Sequence, residues 1–343
     1  MTHVTGTSLR TYLITRLALV VPMVLILLTL VFLLLRVAPG NPIQAALGGH
    51  VPPAYVHQIE HRLGFDKPLI TQYGDYLWNI VRGNLGTTIT DNRPLSQIIK
   101  QNGAATFELT FFAMLIAIVV GVVVGLIAGR YRDTPVDIAG RLFGVIVYAT
   151  PPFFLGLMAQ LVFGVWLGWL PTSDQASPLT QALLQTHTNI FLVDAIWDGS
   201  WGALWDIVKH LILPATTLGL ITAGVFIRLT RINVIRTLRD DYIEAARARG
   251  IAERRVVFFH AFKNALVPVI TVVGLNLAIL LGGVVLTETT FNWPGIGHEL
   301  VIYLENRDYA GVQGIIVVFA LVVVAVSILV DFLNAFVDPR IRY

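Results

Sequence analysis

Six long apolar segments constrain this chain more than any other feature. Each approaches or exceeds the roughly 20 residues with which an α-helix crosses a hydrocarbon core of about 30 Å. Their apolar residues are continuous rather than alternating, which favours helices over a barrel because lipid leaves every backbone group to be satisfied within its own segment. The sequence therefore predicts an all-α polytopic membrane protein with six transmembrane helices at 13–35, 104–129, 142–170, 211–227, 265–286 and 314–337.

Composition supports a membrane setting. Hydrophobic residues make up 55% of the chain, charged residues only 13%, and the mean hydropathy is +0.73, which is too apolar for an ordinary soluble domain. The first segment is too long for a signal-peptide core and lacks a small-residue cleavage site after it, so we expect a retained helix. The absence of cysteine excludes disulfides and thiolate metal sites.

The distribution of lysine and arginine predicts the orientation. If the N-terminus is cytoplasmic, 16 of the 24 basic residues fall in cytoplasmic segments, as the positive-inside rule expects, and both termini are then cytoplasmic. The basic pI of about 9.2 needs no nucleic-acid partner, because anionic lipid headgroups account for it.

This topology leaves outer loops at 37–103, 171–210 and 287–313. We expect the long first loop, between an N-terminal unit at 1–36 and a permease-like core at 104–343, to be folded. In the second loop, Trp197, Trp201 and Trp205 recur every four residues. This spacing predicts one indole face on a helix at the membrane interface, with docking of an external partner as the alternative.

Motifs for catalysis are absent from the sequence. A P-loop needs Gly-Lys followed by Ser or Thr, and no lysine of this chain stands in that context. His57 and His61 have the spacing of a zinc motif, but Gln58 stands where its glutamate belongs. No Gly-x-Ser-x-Gly elbow is present either. The chain is therefore predicted not to be an enzyme and to bind no metal or cofactor of its own.

A short polar island at 240–250 separates two apolar runs. Ala245, Ala248 and Ala252 fall on one helical side, where they allow close approach of another backbone, and Gly250 permits a sharp turn between two short helices. Two interpretations remain open at this stage. The island is either a docking element for another subunit or a surface helix whose arginines set the topology.

Two further places are candidates for a translocation pathway. Pro151 and Pro152 interrupt the third segment, and lipid tolerates such a break only where protein or water satisfies the freed carbonyls. The residues around them, Tyr148 and Phe153 included, form either a pathway wall or a packing kink.

The second place is the segment 287–297, which contains Glu288 and Trp293. Ionisable groups near the ends of spans, such as Glu288, Glu108 and Asp331, usually pair or face a cavity. Glu288 therefore either lines an outer gate or extends to the headgroups.

The island resembles the EAA loop of ABC importer permeases, with Glu244, Ala245, Ala246 and Gly250 at matching positions. His260, Phe262 and Lys263 depart from the usual ending of that loop and are similar to the dipeptide, oligopeptide and nickel branch of the family. The similarity extends over nearly the whole chain, through motifs at 32–42, 63–69, 83–86, 293–297, 307–309 and 338–340.

The resemblance implies the B-type subunit of such an importer, with the bundle of a type I permease, in a bacterial cytoplasmic membrane. Its implied partners are a second six-helix permease, two ABC ATPase subunits that bind ATP and Mg²⁺, a solute-binding protein, lipid and a peptide cargo. The loop at 237–264 would act as the coupling helix, through Asp241, Tyr242, Glu244, Ala245, Ala246, Arg247, Gly250, Ile251 and Arg254.

Three alternatives remain. A nickel or other small-solute importer of the same family differs only in cargo, and no histidine-rich relay lines the predicted spans to favour nickel. An ATP-independent channel or secondary transporter should carry relay carboxylates deep in its spans and inverted repeats, and neither is evident in the sequence. A scaffold or receptor subunit does not explain the interruption at Pro151 and Pro152.

Overall fold

The computed structural model describes residues 9–37, 42–47 and 52–337 of the chain. These residues are almost entirely helical, and their only extended pairing is an isolated bridge between Thr87 and Pro94. The α-helices are α1 (Leu9–Val37), α2 (Pro42–Ala46), α3 (Pro53–Leu63), α4 (Leu69–Val81), α5 (Leu95–Arg130), α6 (Pro135–Ala149), α7 (Pro152–Ala159), α8 (Pro178–Leu183), α9 (Phe191–Trp197), α10 (Trp201–Thr237), α11 (Asp241–Ala248), α12 (Glu253–Arg255), α13 (Phe262–Thr290), α14 (Ile296–Glu305) and α15 (Tyr309–Val337).

The all-α fold is confirmed, and every predicted span overlaps a helix. Within the described residues, α5, α10 and the stretch Tyr309–Val330 of α15 are long and apolar enough to cross a membrane, and the bent pair α6 and α7 makes a fourth span if counted as one. In α1 the described apolar stretch is the shorter Ala18–Leu33. The count of six spans stays a prediction.

The centre of the bundle is the contact between α5 and α10. Gly121, Gly125 and Gly129 recur every four residues along α5 and face α10, so they lie on one side of the helix. A Cβ at Gly125 would stand 2.6 Å from the Cβ of Thr230 and 2.7 Å from the carbonyl oxygen of Ile227. Small residues thus bring the two backbones together, as is common between membrane helices.

The predicted break in the third segment is confirmed. α6 ends at Ala149, α7 begins at Pro152, and the two helices meet at an angle of 105°. Beyond α7 the chain continues as a π-helical segment, Gln160–Trp166. The prolines cause the break because each lacks an N–H and excludes the helical conformation from the residue before it.

The helix that contains the predicted fourth span, 211–227, extends beyond it at both ends, since α10 covers Trp201–Thr237 and passes through Arg228 and Arg231. Charge does not interrupt a helix whose backbone hydrogen bonds remain intact. The buried carboxylate of Asp137 neutralises Arg231, whose Nε and Nη2 donate to it over 2.5 and 2.7 Å, while Arg228 is exposed.

The predicted indole face was wrong. Trp197 ends α9, whereas Trp201 begins α10, and between them Gly199 adopts a φ of +64°. The four-residue spacing therefore spans a turn rather than one helix. All three indoles are nonetheless exposed, Trp205 included.

The described parts of the region between α1 and α5, residues 42–47 and 52–94, are folded, and α4 packs on the bundle. Tyr76, Leu77 and Ile80 of α4 contact a buried cluster formed by Leu28 and Val31 of α1 with Val317 of α15. α5 begins at Leu95, nine residues before the predicted span.

One buried carboxylate anchors the turn before α5. The Oδ2 atom of Asp308 accepts hydrogen bonds from the backbone of Ile89 and Thr90 at 2.6 and 2.8 Å and from the Thr90 hydroxyl at 2.9 Å. Asp308 immediately precedes α15, so this group ties the first loop to the last helix.

Candidate functional site

The polar island forms a short helix outside the bundle. α11 begins directly after Asp240, whose extended backbone separates it from the end of α10. Asp241 and Glu244 occupy its first turn, where acidic side chains interact favourably with the helix dipole. The predicted helix, bend and second helix are confirmed, since α12 follows within five residues.

Gly250 makes the bend. Its φ is +74°, in the left-handed region that favours glycine. The Gly250 N–H donates to the carbonyl of Arg247 at 2.9 Å and the Ile251 N–H to that of Ala246 at 3.3 Å. This pair of bonds is a Schellman motif, which satisfies the last carbonyls of the helix and reverses the chain.

An apolar underside holds α11 against the rest of the chain. Ile243, Val256 and Ala261 are fully buried together with Ala246, which is 7% exposed. These residues form one cluster, against which Leu238 at the end of α10 also packs. The cluster therefore holds α11 against the end of α10 and against the π-helical segment Val256–Ala261 that precedes α13.

Polar contacts brace the same element. Arg247 donates to both carboxylate oxygens of Glu253, at 3.0 and 2.8 Å, and this hydrogen-bonded ion pair lowers the pKa of Glu253 below its ordinary value of 4.5. The Asn264 amide donates to the hydroxyl of Tyr242 at 2.7 Å, which links α11 to the start of α13. Both contacts are exposed, so each contributes little stability alone.

The predicted coupling residues divide between two faces. Ala246 and, in part, Ile251 face inward and pack against the same chain. The others are exposed and form the outer face of the element: Asp241, Tyr242, Glu244, Ala245, Arg247, Gly250 and Arg254. This outer face therefore contains an acidic first turn and a small alanine, Ala245.

A buried ion pair that sequence reasoning missed stabilises the same end of the bundle. Asp137 in the first turn of α6 is fully buried and accepts from Arg231 of α10, and Arg141 approaches it to 3.7 Å. The ion pair could have been predicted from the sequence, because Asp137 is a lone acidic residue among arginines in a helix that begins at Pro135. The pair joins the broken span to the helix that carries α11.

The pathway candidates at the break face outward from the chain. Tyr148 is 64% exposed and Phe153 47%, while Pro151 is exposed and Pro152 half-buried. Gly224 of α10 lets Tyr148 approach closely, since a Cβ there would stand 2.8 Å from that of Tyr148. These residues form an open apolar surface beside α10, and whether it faces cargo stays a prediction.

Glu288 and Trp293 are instead enclosed within the chain. Glu288 is fully buried near the end of α13 and accepts from the Thr106 hydroxyl at 2.6 Å and the His298 N–H at 3.0 Å. It neither lines an open gate nor extends to headgroups in this conformation. Trp293 is also fully buried and donates from Nε1 to the carbonyl of Ala105 at 2.9 Å.

The glycines around that carboxylate explain its burial. A Cβ at Gly295 or Gly297 would collide with the Glu288 carboxylate, so the segment 293–297 wraps around it. Burying a carboxyl group costs free energy, and hydrogen bonds from nearby neutral donors offset that cost.

Glu108 is a second enclosed carboxylate. It is 1% exposed and accepts from the Gln175 amide and, at 2.9 Å, from the Leu192 N–H. It therefore ties the second outer loop to α5. The side chain of Asp331 and the motif at 338–340 lie outside the described residues.

No group of three or more His, Asp or Glu side chains with metal-binding geometry occurs in the part of the chain that the structure describes. The outer face of α11 combines exposure with attachment to α10 through Leu238 and to the start of α13 through Asn264.

Two family models cover most of the chain. The model "Binding-protein-dependent transport system inner membrane component" matches residues 121–343. The model "Binding-prot-dependent transport system membrane comp, N-term" matches residues 9–97.

Relatives match over nearly their full lengths. "Di/tripeptide transport system permease protein DppB" of Pseudomonas aeruginosa is 40% identical over 96% of this chain and 97% of that protein. "Dipeptide transport system permease protein DppB" of Alkalihalophilus pseudofirmus is 38% identical over 97% and 99%. "Glutathione transport system permease protein GsiC" of Pectobacterium atrosepticum is 36% identical over 97% and 99%.

A solved structure described as "Crystal structure of an amino acid ABC transporter with histidines" aligns with a TM-score of 0.45 and 12% identity, over 71% of this chain and 98% of that one. This similarity is too low to carry an inference.

Proposed function

Because this chain belongs to the family of binding-protein-dependent transport system inner membrane components, we propose that it is the permease subunit of an ABC importer for di- and oligopeptides. The observation that carries the cargo assignment is the full-length similarity to relatives named for dipeptide, tripeptide and glutathione transport. All three names describe short peptides, so the shared cargo class is a peptide rather than a metal ion.

The proposed work of this chain is mechanical. ATP and Mg²⁺ would bind at two partner ATPase subunits, a solute-binding protein would deliver the peptide, and a second permease would complete the pathway. The proposed location is the bacterial cytoplasmic membrane, with both termini of the chain in the cytoplasm. This orientation puts α11 on the side of the ATPases.

The outer face of α11 is the proposed seat for an ATPase subunit. Movement of that subunit would displace α11, and its buried underside would carry the displacement into α10 and α13. Ligand-driven movement requires that the docked element interact differently with the two states of its partner. Glu244, Ala245 and Arg254, which are exposed and make no packing contact in the cluster beneath α11, are the residues proposed to make that distinction.

Along the pathway, Tyr148 and Phe153 at the break between α6 and α7 are the proposed surface toward the second permease and the cargo. Glu288 and Trp293 support this role indirectly, since they lock α5, α13 and the segment 293–297 together.

The test is uptake of a radiolabelled dipeptide in cells whose native copy is deleted and replaced by variants of this chain. Glu244→Ala is expected to abolish ATP-driven uptake while the assembled complex is recovered in normal yield. Glu305→Ala is the matched control, because Glu305 is an exposed glutamate on a different helix, α14, and is expected to leave uptake unchanged.

Unchanged uptake with Glu244→Ala would refute the coupling role of α11. Recovery of the tagged chain without any ATPase subunit would instead favour an ATP-independent channel or secondary transporter. Uptake of Ni²⁺ but not of dipeptide would refute the cargo assignment alone.

A further inference from the structure

A polar cavity of about 320 Å³ lies where α1 ends and α15 begins. Its walls come from α1, α3, α4, the turn around Gly86 and the first turns of α15. They include parts of the motifs at 32–42, 63–69 and 83–86, to which the transport function proposed above gives no role. The volume is at the lower end of the range for small-molecule sites, roughly 300–1,000 Å³.

The cavity carries more positive than negative charge. Arg36, Arg62 and Lys67 line it with a single carboxylate, Asp75, which pairs with Lys67 at 2.7 Å. No carboxylate of the described residues pairs with either arginine. The sequence before residue 60 contains no Asp or Glu, so α1 and the segment that follows it cannot supply the missing negative charge. The two arginines therefore favour an anionic occupant.

An aromatic ring holds the Arg36 guanidinium at the cavity wall. The central carbon of the guanidinium lies 3.8 Å from the centroid of the Phe65 ring and 5.3 Å from that of the Phe32 ring. Stacking on Phe65 covers one face of the planar group and leaves the N–H donors at its edge. Arg36 Nε is buried and has no hydrogen-bond partner among the described residues. Such a fork of donors matches the oxygen atoms of a phosphate or carboxylate group.

A buried acceptor narrows the class of anion. Gln72 is 8% exposed, and its Nε2 atom donates to the carbonyls of Phe65 and Lys67 at 3.0 and 2.7 Å. These two bonds fix the orientation of the amide, and its Oε1 atom is left without a hydrogen-bond partner. An anion that has no hydroxyl group could not satisfy this oxygen, whereas hydrogen phosphate can donate a hydrogen bond to it.

We propose that this cavity binds inorganic hydrogen phosphate. The phosphate oxygens accept from Arg36 and Arg62, and the phosphate hydroxyl donates to Gln72 Oε1, after small rotations of these side chains. Tyr76 and Gln313 interact with each other and form part of the wall rather than ligands. Because Arg36, Arg62 and Gln72 belong to α1, α3 and α4, a bound phosphate holds the first outer loop against the end of α1.

The test is equilibrium dialysis of the chain, purified in mild detergent with whatever subunits it retains, against radiolabelled phosphate at fixed ionic strength. The wild-type chain is expected to bind one phosphate, and sulfate is expected to compete about tenfold more weakly or worse, as follows from the loss of one hydrogen bond to a buried acceptor. Sulfate is the matched probe because it has a similar size and charge but no hydroxyl group at neutral pH.

Three variants of the chain locate the bound phosphate. Arg36→Gln should lower the affinity about tenfold or more, as expected for the loss of a hydrogen bond from a charged donor. Arg62→Gln, at an exposed position on α3, should weaken binding without threatening the fold. Arg82→Gln is the matched control, because Arg82 is exposed, stacks on Trp78 and lies outside the cavity lining.

Equal affinities for phosphate and sulfate would overturn the proposal, as would equal binding by the wild type, Arg36→Gln and Arg62→Gln or the absence of saturable binding. A loss with Arg82→Gln as large as with Arg62→Gln would also overturn it, because binding would then reflect the general basic charge of the surface. Displacement of phosphate by phosphatidylglycerol would overturn the assignment to a free anion and transfer the site to a lipid headgroup. The test needs no transport, so its failure would leave the peptide-import function untouched.

Discussion

Gly125 offers the sharpest test of how closely α5 and α10 are packed. An alanine there would place its Cβ 2.6 Å from the Cβ of Thr230, 2.7 Å from the carbonyl oxygen of Ile227 and 3.2 Å from the backbone nitrogen of Arg231. None of these atoms can rotate away, because two belong to the backbone and the third is itself a Cβ. Normal carbon–carbon contact begins at about 3.5 Å, so the helices must separate by about 0.9 Å.

The expected cost of Gly125→Ala follows from two opposing effects. Forcing a methyl group into a packed contact typically costs about 1–3 kcal/mol. Alanine regains roughly 0.5–1 kcal/mol over glycine inside a helix. The net loss in the free energy of unfolding is therefore about 0–2.5 kcal/mol.

The assay is equilibrium unfolding of the purified chain in mixed micelles with increasing SDS, followed by circular dichroism. Gly282→Ala in α13 is the matched control, since a Cβ at Gly282 would meet nothing within 4 Å. It should leave stability equal or raise it by roughly 0.5–1 kcal/mol. If both variants shift stability in the same direction by the same amount, the close approach of α5 and α10 is not what the structure shows.

Three other perturbations have defined outcomes. Asp137→Asn leaves Arg231 with a neutral, buried partner and should cost up to about 3–5 kcal/mol, seen as a lower thermal midpoint; an unchanged midpoint would mean that the ion pair contributes nothing. Gly250→Ala must adopt a left-handed φ with no steric contact and should lose about 1–2 kcal/mol, whereas Gly250→Asn should lose less because asparagine tolerates this region; equal losses would contradict the argument. The pKa of Glu253 is lowered by Arg247, so the pair stabilises above the ordinary pKa of 4.5 and its contribution disappears as pH falls through the lowered value. Glu253→Gln should therefore reduce the thermal midpoint slightly at pH 7 and progressively less as the pH falls below 4.5, and an effect that grows toward acid pH would have the wrong sign.

Much of the helical fold could be predicted because lipid makes local sequence decisive. A continuous apolar run has to form a helix in hydrocarbon, and two prolines have to interrupt it, so the break at Pro151 and the turn at Gly250 follow from residue type alone. Pairing between distant segments could not be predicted in this way. Arg231 pairs with Asp137, which is 94 residues away in sequence.

The candidate site likewise has some features that neighbouring residues determine and others that distant segments determine. Periodicity and the resemblance identified α11 and its bend, because exposure and turn formation depend on a few neighbouring residues. Which of its alanines faces outward depended on the cluster beneath α11, to which the π-helical segment before α13 contributes Val256 and Ala261. Ala245 and Ala246 are adjacent and chemically identical, yet one is exposed and the other buried.

By itself, then, the sequence determined that the chain is helical, embedded in a membrane, without catalytic motifs and equipped with a polar element between two apolar runs, because hydropathy and backbone preference are properties of short segments. Only the tertiary structure decided that Glu288 and Trp293 are enclosed and that Asp137 pairs with Arg231. Burial and pairing depend on which distant segments meet, and that is set by packing of the whole bundle rather than by any one segment.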